Sequence, residues 1–496
     1  MADTVEALAS APCYRVQSRT APVETATMLF NSYEYLIYFL PLSLAVYFVL
    51  GRRATWAVGW LVAASLFFYG WWNPKYLPLI LASIGFNFFV ARALHRKPRH
   101  AKPLLAFGVG ANLALLGVFK YADFAVRNTA DLTGLPLALP HIVLPLGISF
   151  FTFTQIAYLV DVHRGKAKEP SLLNYALFVS FFPHLLAGPI LHHREMMPQF
   201  ASATNKRPQA FHLAAGLFLL AIGLVKKVCI ADPLAPVAAA GFDHPEAISA
   251  LTAWLAVLAY TLQIYFDFSG YTDMALGAAR MFNIQMPVNF NSPYHATNIR
   301  EFWQRWHMTL SRFLREYLYI PLGGNRHGEW RTTGAILATF LLGGLWHGAA
   351  WTFVAWGALH ACALVCLRAW ERTDLHLPRG IAWALTFLFV MVSWVFFRAS
   401  SLPAAAAMLR AMAGANASGE PLEALRDALA ADAQTPALIV VIVLLSGVAV
   451  LGLRRNSNAM AQDFRPTWPR GAAVAVGLVW SVLQLGKVTP FLYFNF

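Results

Sequence analysis

The sequence predicts an all-α, polytopic integral membrane protein, and three features of the chain support this fold class. Of its 496 residues, 58% are apolar and only 12% are charged, which is about half the charged fraction of an ordinary soluble domain. Apolar runs recur from residue 35 onward, each long enough to cross a hydrocarbon core about 30 Å thick as a helix. The aromatic content of 14%, with 16 tryptophans, is typical of interfacial aromatic belts.

The basic residues indicate an orientation in the membrane rather than nucleic-acid binding. The net charge is +14, but the arginines and lysines cluster in short connections between the apolar runs, as the positive-inside rule describes. The first predicted spans lie near residues 34–50, 54–72, 76–91, 103–119 and 142–160. Alternating crossings place most of the intervening charge on one side, which we predict to be cytoplasmic, with the N-terminus extracytoplasmic.

Residues 1–27 are polar and contain no continuous apolar core, so they are neither a signal peptide nor a span. We expect them to be an extension preceding a natural start at Met28, with residues 28–496 forming a single membrane domain. The four cysteines show neither a disulfide framework nor a zinc-site spacing. No metal is therefore expected.

The apolar run at residues 172–191 is interrupted by prolines and a glycine and has basic residues on both flanks. This pattern indicates a re-entrant hairpin, which is tolerated at membrane depth only where protein buries it. Spans near 211–230 and 251–266 follow, after which Asp267 and Asp273 flank Gly270. Acidic residues at a glycine break favour a polar cavity. The alternative is an interfacial turn in which Asp273 caps the next helix.

An amphipathic helix lying in the membrane interface is predicted from residue 299, with Asn298 as its cap. Its arginines fall largely away from the apolar face. Arg305, Arg312 and Arg315 are candidate ligands for a phosphate-bearing cofactor, because a guanidinium binds phosphate through two hydrogen bonds. The alternative is that they only extend to lipid phosphates, and no phosphate-binding loop motif accompanies them.

Two histidines are the candidate functional residues. His307 lies among the arginines and tryptophans of this helix, and His347 lies in a long apolar run with glycines on both sides. An ionisable side chain at membrane depth indicates a functional site, although a single buried histidine is often only a hydrogen-bonded core residue. His360 does not share a helical face with His347 and is expected to be structural. Trp351 either walls the same cavity or packs.

Spans near residues 381–397, 436–453 and 472–487 complete the chain, with residues 398–435 forming a helical insertion on the outer side. The C-terminus is then extracytoplasmic. In total we predict about 11–12 transmembrane helices, together with re-entrant and interfacial helices. The chain shows no convincing internal repeat of the kind that transporters carry.

Several motifs in a fixed order resemble the membrane-bound O-acyltransferases, in the bacterial branch that contains the alginate and peptidoglycan O-acetyltransferases and, more distantly, the D-alanyltransferase of teichoic acids. The motifs are MLFNSYEYLIYFLPL, FFPHLLAGPI, QIYFDFSGYTDMALG, FWQRWHMTLSRFLREYLYIPLGG, GGLWHGAAW and the terminal FLYFNF. The resemblance implies a ring of spans around a central tunnel, in which a cytoplasmic acyl donor meets an acceptor from the outer side. The catalytic histidine of the family's WHG motif matches His347, and the recurring histidine of its RWH motif matches His307.

The resemblance implies an O-acetyltransferase of the bacterial inner membrane that uses acetyl-coenzyme A and modifies an alginate-like exopolysaccharide. Peptidoglycan acetylation and D-alanyl transfer are the rival activities. His347 is expected to be the general base, and His307 is expected to orient or polarise the thioester. Asp267 and Asp273 are candidates for orienting either ring. The expected partners are a periplasmic acceptor or transferase protein and the polysaccharide machinery. The hypothesis from another class is a transporter or channel with a histidine and aspartate relay.

Overall fold

The computed structural model of the chain describes residues 28–96, 98–186, 188–416, 447, 456–487 and 491–492. Regular structure in these residues is helical, which confirms the predicted all-α class. The predicted extension at 1–27, almost all of the predicted span at 436–453 and residues 417–435 of the predicted insertion lie outside the described residues.

The described helices follow one another through short connections, several of which are π-helical or 3₁₀ turns. In chain order they are α1 Leu40–Leu50, α2 Ala54–Trp72, α3 Leu77–Arg96, α4 Ala101–Leu116, α5 Ala122–Thr133, α6 Ile148–His163, α7 Leu172–Ser180, α8 Phe182–Leu185, α9 His193–Ala201, α10 Ala210–Leu224, α11 Asp232–Asp243, α12 Ala250–Met281, α13 Ile299–Arg305, α14 Met308–Leu314, α15 Glu329–His347, α16 Trp351–Trp370, α17 Arg379–Arg398, α18 Leu402–Met412, α19 Ser457–Gln462 and α20 Trp468–Leu483.

Seven helical segments in the described part of the chain are long and apolar enough to cross a membrane, so the protein is a multi-pass membrane protein. They are Ala54–Trp72, Pro74–Arg96, Ala101–Thr133, Ala210–Asp243, Ala250–Met281, Trp351–Trp370 and Arg379–Arg398. Shorter apolar helices at Glu34–Leu50 and Trp468–Leu483 occupy the positions of two further predicted spans. The predicted total of about 11–12 transmembrane helices stays a prediction, since seven candidate spans are found in the described residues.

Helix α12 forms the centre of the bundle and runs without interruption for 32 residues, most of them buried. The predicted break or turn around Gly270 is therefore wrong, as is the end of this span at residue 266. The glycine instead allows a close helix contact. A Cβ atom at Gly270 would lie 2.8 Å from the carbonyl oxygen of Gly223 in α10. A side chain there would clash with the backbone of α10, so the residue is required by packing.

The single continuous amphipathic helix predicted from residue 299 is divided into two helices, so that prediction is wrong. Helices α13 and α14 are separated at His307, whose backbone is left-handed, with φ 43° and ψ 53°. The break is stabilised from a distant loop, because the backbone N–H of Met308 donates to the carbonyl oxygen of Asn289 at 2.9 Å. The predicted cap of α13 is confirmed, since Asn298 accepts a hydrogen bond from the backbone N–H of Glu301 at 2.8 Å.

The predicted span at 142–160 begins later than expected, at Ile148, where α6 starts. Pro145 and the left-handed Gly147, with φ 74°, keep the preceding residues out of the helix. The predicted re-entrant run at 172–191 is divided into α7 and α8 at Phe181, one residue before the helical turn that contains Pro183. Its path relative to the membrane stays a prediction.

The hairpin of α15 and α16 carries the WHG motif, and glycines bring its two helices together. A Cβ atom at Gly344 would lie 2.3 Å from the carbonyl oxygen of Phe353, and one at Gly357 would lie 2.2 Å from that of Phe340. Gly344, one of the glycines close to His347, thus permits a close approach of the two backbones. Helix α15 therefore presents His347, its last residue, directly beside the start of α16.

We expect Gly270→Ala to lower the midpoint of thermal unfolding of the detergent-purified protein, because the added methyl group would push α10 and α12 apart. Overpacking of this kind typically costs about 1–3 kcal/mol. Gly85→Ala in α3 is the matched control, since a Cβ atom added there would have no other atom within 4 Å. Equal unfolding midpoints for the two variants would contradict the proposed role of Gly270.

Candidate active site

His307 lies at the junction of α13 and α14 and is completely buried, with 0% of its surface exposed. Its left-handed backbone is unfavourable for a residue with a side chain. Conformations of this kind typically cost about 1–3 kcal/mol, and they concentrate at functional sites where the surrounding structure holds them. The geometry of the break therefore agrees with the selection of His307 as a candidate functional residue.

Asn289 fixes the tautomer of His307. Its side-chain oxygen accepts from the backbone N–H of Thr309 at 3.2 Å and from the Thr309 hydroxyl at 2.9 Å. The same oxygen lies 3.0 Å from Nδ1 of His307, so Nδ1 carries the proton and donates it. In the neutral ring Nε2 is then an acceptor. This atom is buried and has no hydrogen-bond partner among the described residues.

His347 is also buried, with 4% of its surface exposed, and its ring is enclosed by aromatic side chains. The ring centroids of Trp346, Trp356 and Phe397 lie 5.0, 5.1 and 5.3 Å from that of His347, all in edge-on arrangements. Aromatic rings favour such edge-to-face contacts. The enclosure holds the imidazole in a setting that excludes bulk water.

Trp346 contacts both candidate histidines, so the structure brings the two together around one indole. Its ring centroid lies 5.0 Å from that of His347 and 6.4 Å from that of His307, and its other side stacks on Phe153 at 5.0 Å. The indole N–H is buried and has no acceptor within the described part of the chain. Buried donors normally have acceptors, so we expect a ligand oxygen to accept from this N–H.

His360 differs from the other two histidines because both of its ring nitrogens are hydrogen-bonded. The indole N–H of Trp303 donates to Nδ1 at 3.2 Å, and Nε2 then donates to the Ser393 hydroxyl at 3.1 Å. A buried polar ring with both positions satisfied stabilises the packing of α13, α16 and α17. The expectation that His360 is structural agrees with these contacts.

Asp267 and Asp273 form buried ion pairs that hold helices together. Asp267 lies 2.6 Å from the ammonium of Lys227, and Asp273 lies 2.6 Å from that of Lys226. The Asp273 carboxylate also accepts from the Ser457 hydroxyl at 2.6 Å. None of the hydrogen bonds described for the two aspartates goes to a histidine. Their contacts give them a role in packing α12 rather than in orienting a catalytic ring.

Two of the three candidate phosphate-binding arginines are engaged within the protein. Arg312 makes a two-pronged ion pair with Glu195, at 2.6 and 3.1 Å. Arg305 donates to the carboxylate of Glu301 at 2.8 Å and to the carbonyl oxygen of Asn291 at 3.1 Å. These partners explain how α13 and α14 are fixed to the neighbouring loops, and they reduce the capacity of both arginines to bind an anion.

Arg315 instead lines a cavity of about 360 Å³ between α13, α14, α15 and α16. Arg300 and Arg368 lie in the same lining, where they pair with Glu371 and Glu329. Among the described residues Arg315 has no ion-pair partner. The rest of the wall is mainly apolar and includes Leu314, Ile336, Phe340 and Leu364. The lining contains neither candidate histidine, so a tunnel from this cavity to them stays a prediction.

Trp351 packs on the surface helix α5. Its indole N–H donates to the side-chain oxygen of Asn128 at 2.8 Å, its ring lies 5.8 Å from that of Phe124, and 55% of its surface is exposed. Of the two roles considered for Trp351, packing is the one that its described contacts support.

Three polar residues near the histidines were missed by the sequence analysis, namely Asn289, Lys120 and Tyr121. Asn289 lies in an irregular loop and carries no pattern that distinguishes it. Lys120 donates to the carbonyl oxygens of Trp346 and His347, at 3.1 Å for the latter. Its sequence signal was a single lysine at the end of an otherwise apolar run, LALLGVFKY, which was interpreted only as a connecting charge.

A sequence model of the membrane-bound O-acyltransferase family matches residues 141–405. The chain is 48% identical to the peptidoglycan O-acetyltransferase of Helicobacter pylori, over 78% of this chain and 80% of that protein. It is 39% identical to a probable alginate O-acetylase of Pseudomonas putida, over 95% of this chain and 100% of that protein. It is 29% identical to the teichoic acid D-alanyltransferase of Bacillus subtilis, over 52% of this chain and 70% of that protein.

We expect Asn289→Ala to remove the tautomer preference of His307, because the acceptor that holds the Nδ1 proton is lost. Removing one partner of a buried hydrogen bond costs about 1–3 kcal/mol, so both tautomers should become populated. Histidine-¹⁵N NMR of the purified protein measures the tautomer, with the His307 signals assigned by their loss in His307→Gln. Asn289→Asp is the control, since its carboxylate still accepts. A signal unchanged in Asn289→Ala would contradict this role.

Proposed function

The chain belongs to the membrane-bound O-acyltransferase family and is an acyltransferase, and we propose that it acetylates hydroxyl groups of a polysaccharide outside the bacterial inner membrane. The acetyl donor in this proposal is a cytoplasmic thioester, acetyl-coenzyme A. The observation that carries the proposal is the burial of His347 and His307 around Trp346, at the WHG motif. The C-terminus and the N-terminus are extracytoplasmic in this scheme.

The acceptor that we propose first is an alginate-like exopolysaccharide. Probable alginate O-acetylases align with almost the whole chain, over 95% of this chain and 100% of the Pseudomonas putida protein. Peptidoglycan is the second candidate, favoured by the 48% identity to a peptidoglycan O-acetyltransferase. D-alanyl transfer has weaker support, from 29% identity over about half of the chain, at 52%. A periplasmic acceptor or transferase protein and the polysaccharide machinery complete the pathway of the acetyl group.

In the proposed reaction His347 is the general base. The acceptor hydroxyl gives its proton to the imidazole while its oxygen attacks the carbonyl carbon of the thioester. The carbon–sulfur bond then breaks, and the departing sulfur takes the proton back from the imidazolium, so the ring is regenerated. Histidine suits this role because it titrates near neutral pH. A well-placed general base typically contributes about 10²–10⁴ in rate.

Because Asn289 fixes the tautomer of His307, we assign orientation of the thioester and polarisation of its carbonyl group to two different residues. A neutral His307 accepts at Nε2, so it suits an N–H group of the donor's pantetheine arm and orients the thioester. Polarising the carbonyl requires a hydrogen-bond donor, and the indole N–H of Trp346, which has no acceptor in the described part of the chain, is one. A preorganised donor facing the developing oxyanion is typically worth about 10²–10³ in kcat. Orientation is thus assigned to His307 and polarisation to Trp346.

The aromatic enclosure of His347 supports transfer over hydrolysis. Water is the competing acceptor for a thioester, and a closed apolar site lowers its access to the carbonyl carbon. Three aromatic rings surround the imidazole at centroid separations of 5.0, 5.1 and 5.3 Å, and only 4% of His347 is exposed. The transporter hypothesis has less support, because Asp267 and Asp273, which would complete its relay, are paired with lysines.

The cavity with Arg315 is our candidate site for the phosphates of coenzyme A. It combines cationic groups with apolar walls, which suits a ligand with phosphates and a long pantetheine arm. The Arg315 guanidinium has no ion-pair partner among the described residues, so it is available to bind phosphate through two hydrogen bonds. The basic loop that follows α14 supports a cytoplasmic location for this cavity.

We expect His347→Ala to abolish acetylation, with a loss of about 10²–10⁴ in rate, while the protein is still inserted in the membrane. A deletion strain complemented with the wild type or the variant tests this, with the acetyl content of exopolysaccharide and of peptidoglycan measured separately. The wild-type result also decides between the two acceptors. His376→Ala, at an exposed position, is the control. Normal acetylation in His347→Ala would refute the assignment of the base.

We expect Arg315→Gln to raise the KM for acetyl-coenzyme A about tenfold or more, because a charge-assisted hydrogen bond contributes about 1.5–3 kcal/mol. The kcat should stay within about twofold, since Arg315 is remote from the reacting atoms in this proposal. Acetyl-pantetheine lacks the nucleotide phosphates, so its KM should not change. Arg331→Gln, at an exposed position on α15, is the matched control. Equal effects on both donors would exclude a phosphate contact.

A further inference from the structure

A lysine and a tyrosine from a distant segment bind the last turn of the helix that carries His347. They lie in the π-helical turn Gly117–Tyr121 between α4 and α5. The Lys120 ammonium donates to the carbonyl oxygens of Trp346 and His347, and the Tyr121 hydroxyl donates to that of Leu345 at 2.9 Å. Three consecutive carbonyl groups at the end of α15 are thus held from outside the helix.

These contacts meet a need of the backbone at this point. The last four carbonyl groups of any helix lack partners within the helix. Helix α15 ends abruptly, because Gly348 is extended, with φ −163° and ψ 150°. The positive charge of Lys120 also interacts favourably with the negative end of the helix dipole. The ammonium lies 5.7 Å from the centre of the Trp346 ring, so it contacts the indole that joins the two histidines.

Binding these carbonyl groups with an ammonium group costs more desolvation free energy than binding them with a neutral donor. Moving an ammonium group out of water costs several kcal/mol, even when partners offset part of it. A neutral amide group at the position of the ammonium would donate to the same carbonyl groups without that cost. The charge is placed at the one helix end where the backbone position of His347 is set. This placement indicates a role in the reaction rather than in folding alone.

We propose that Lys120, assisted by Tyr121, is a positioning residue for His347. It holds the end of α15 so that the imidazole keeps its place among Trp346, Trp356 and the other surrounding rings. Lys120 does not touch the reacting atoms in this scheme. The inference rests on the proposed function, since it assumes that His347 is the base. A displacement of about 1 Å in a catalytic group can cost about 10²-fold in rate.

Kinetics of four variants test the proposal, using thiol release from acetyl-coenzyme A in the presence of an acceptor oligosaccharide. Lys120→Met should lower kcat about 10²-fold, with KM for the donor within about twofold. Lys120→Arg keeps a positive charge and N–H donors for the carbonyl groups, so it should recover about tenfold or more of that loss. Tyr121→Phe should have a smaller effect. Lys75→Met, at an exposed lysine, is the matched control and should match the wild type.

A second measurement does not depend on acetyl transfer. Hydrogen–deuterium exchange of the peptide spanning residues 344–350 should be faster in Lys120→Met than in the wild type, because the helix end is released. If the wild type transfers no acetyl group, the proposed function fails while this measurement still reports the contact. The positioning role is overturned by a kcat within about twofold of wild type in Lys120→Met. A loss explained entirely by less folded protein, or no recovery in Lys120→Arg, overturns it as well.

Discussion

The interior of a helical membrane bundle offers no water, so each buried polar group depends on a partner from the chain itself. This constraint explains the ion pairs of Asp267 and Asp273 with adjacent lysines, and the two hydrogen bonds of His360. Several buried polar atoms nevertheless lack partners in the described residues, and two of them belong to neighbouring rings whose centroids lie 6.4 Å apart. These are Nε2 of His307 and the indole nitrogen of Trp346. A substrate bound between these two rings would supply the missing hydrogen-bond partners.

The two histidines lie close together because an interruption of regular helix positions each of them. Glycines let α15 approach α16 until a Cβ at Gly344 would lie 2.3 Å from the Phe353 carbonyl oxygen, which fixes the end of α15. The left-handed residue between α13 and α14 ends one short helix and begins another at the His307 ring. Neither feature is a property of a regular helix. The site therefore exists at the places where regular structure is interrupted.

The sequence was sufficient to predict the helical class, most span positions and the burial of the two candidate histidines, because apolar periodicity and ionisable residues in apolar runs are local signals. It was insufficient for contacts between distant segments. At Gly270 the same residue type fits a helix break or a close helix contact, and only the packing on Gly223 distinguishes them. The lysine partners of Asp267 and Asp273 lie in another span, and Asn289 acts through a loop. The break at His307 was missed because the amphipathic pattern continues across it.

Protection from water and access for substrates impose opposite demands on this site. With 4% of His347 and 0% of His307 exposed, the rings are shielded from solvent, and substrates must displace surrounding side chains to reach them. The residues that hold the two imidazole rings bind them away from these surrounding side chains. Asn289 binds Nδ1 of one ring and the backbone beside it, and Lys120 binds the carbonyl groups that end α15. Trp356 and Phe397 take no part in these contacts, so a substrate that displaces either ring leaves both imidazoles held.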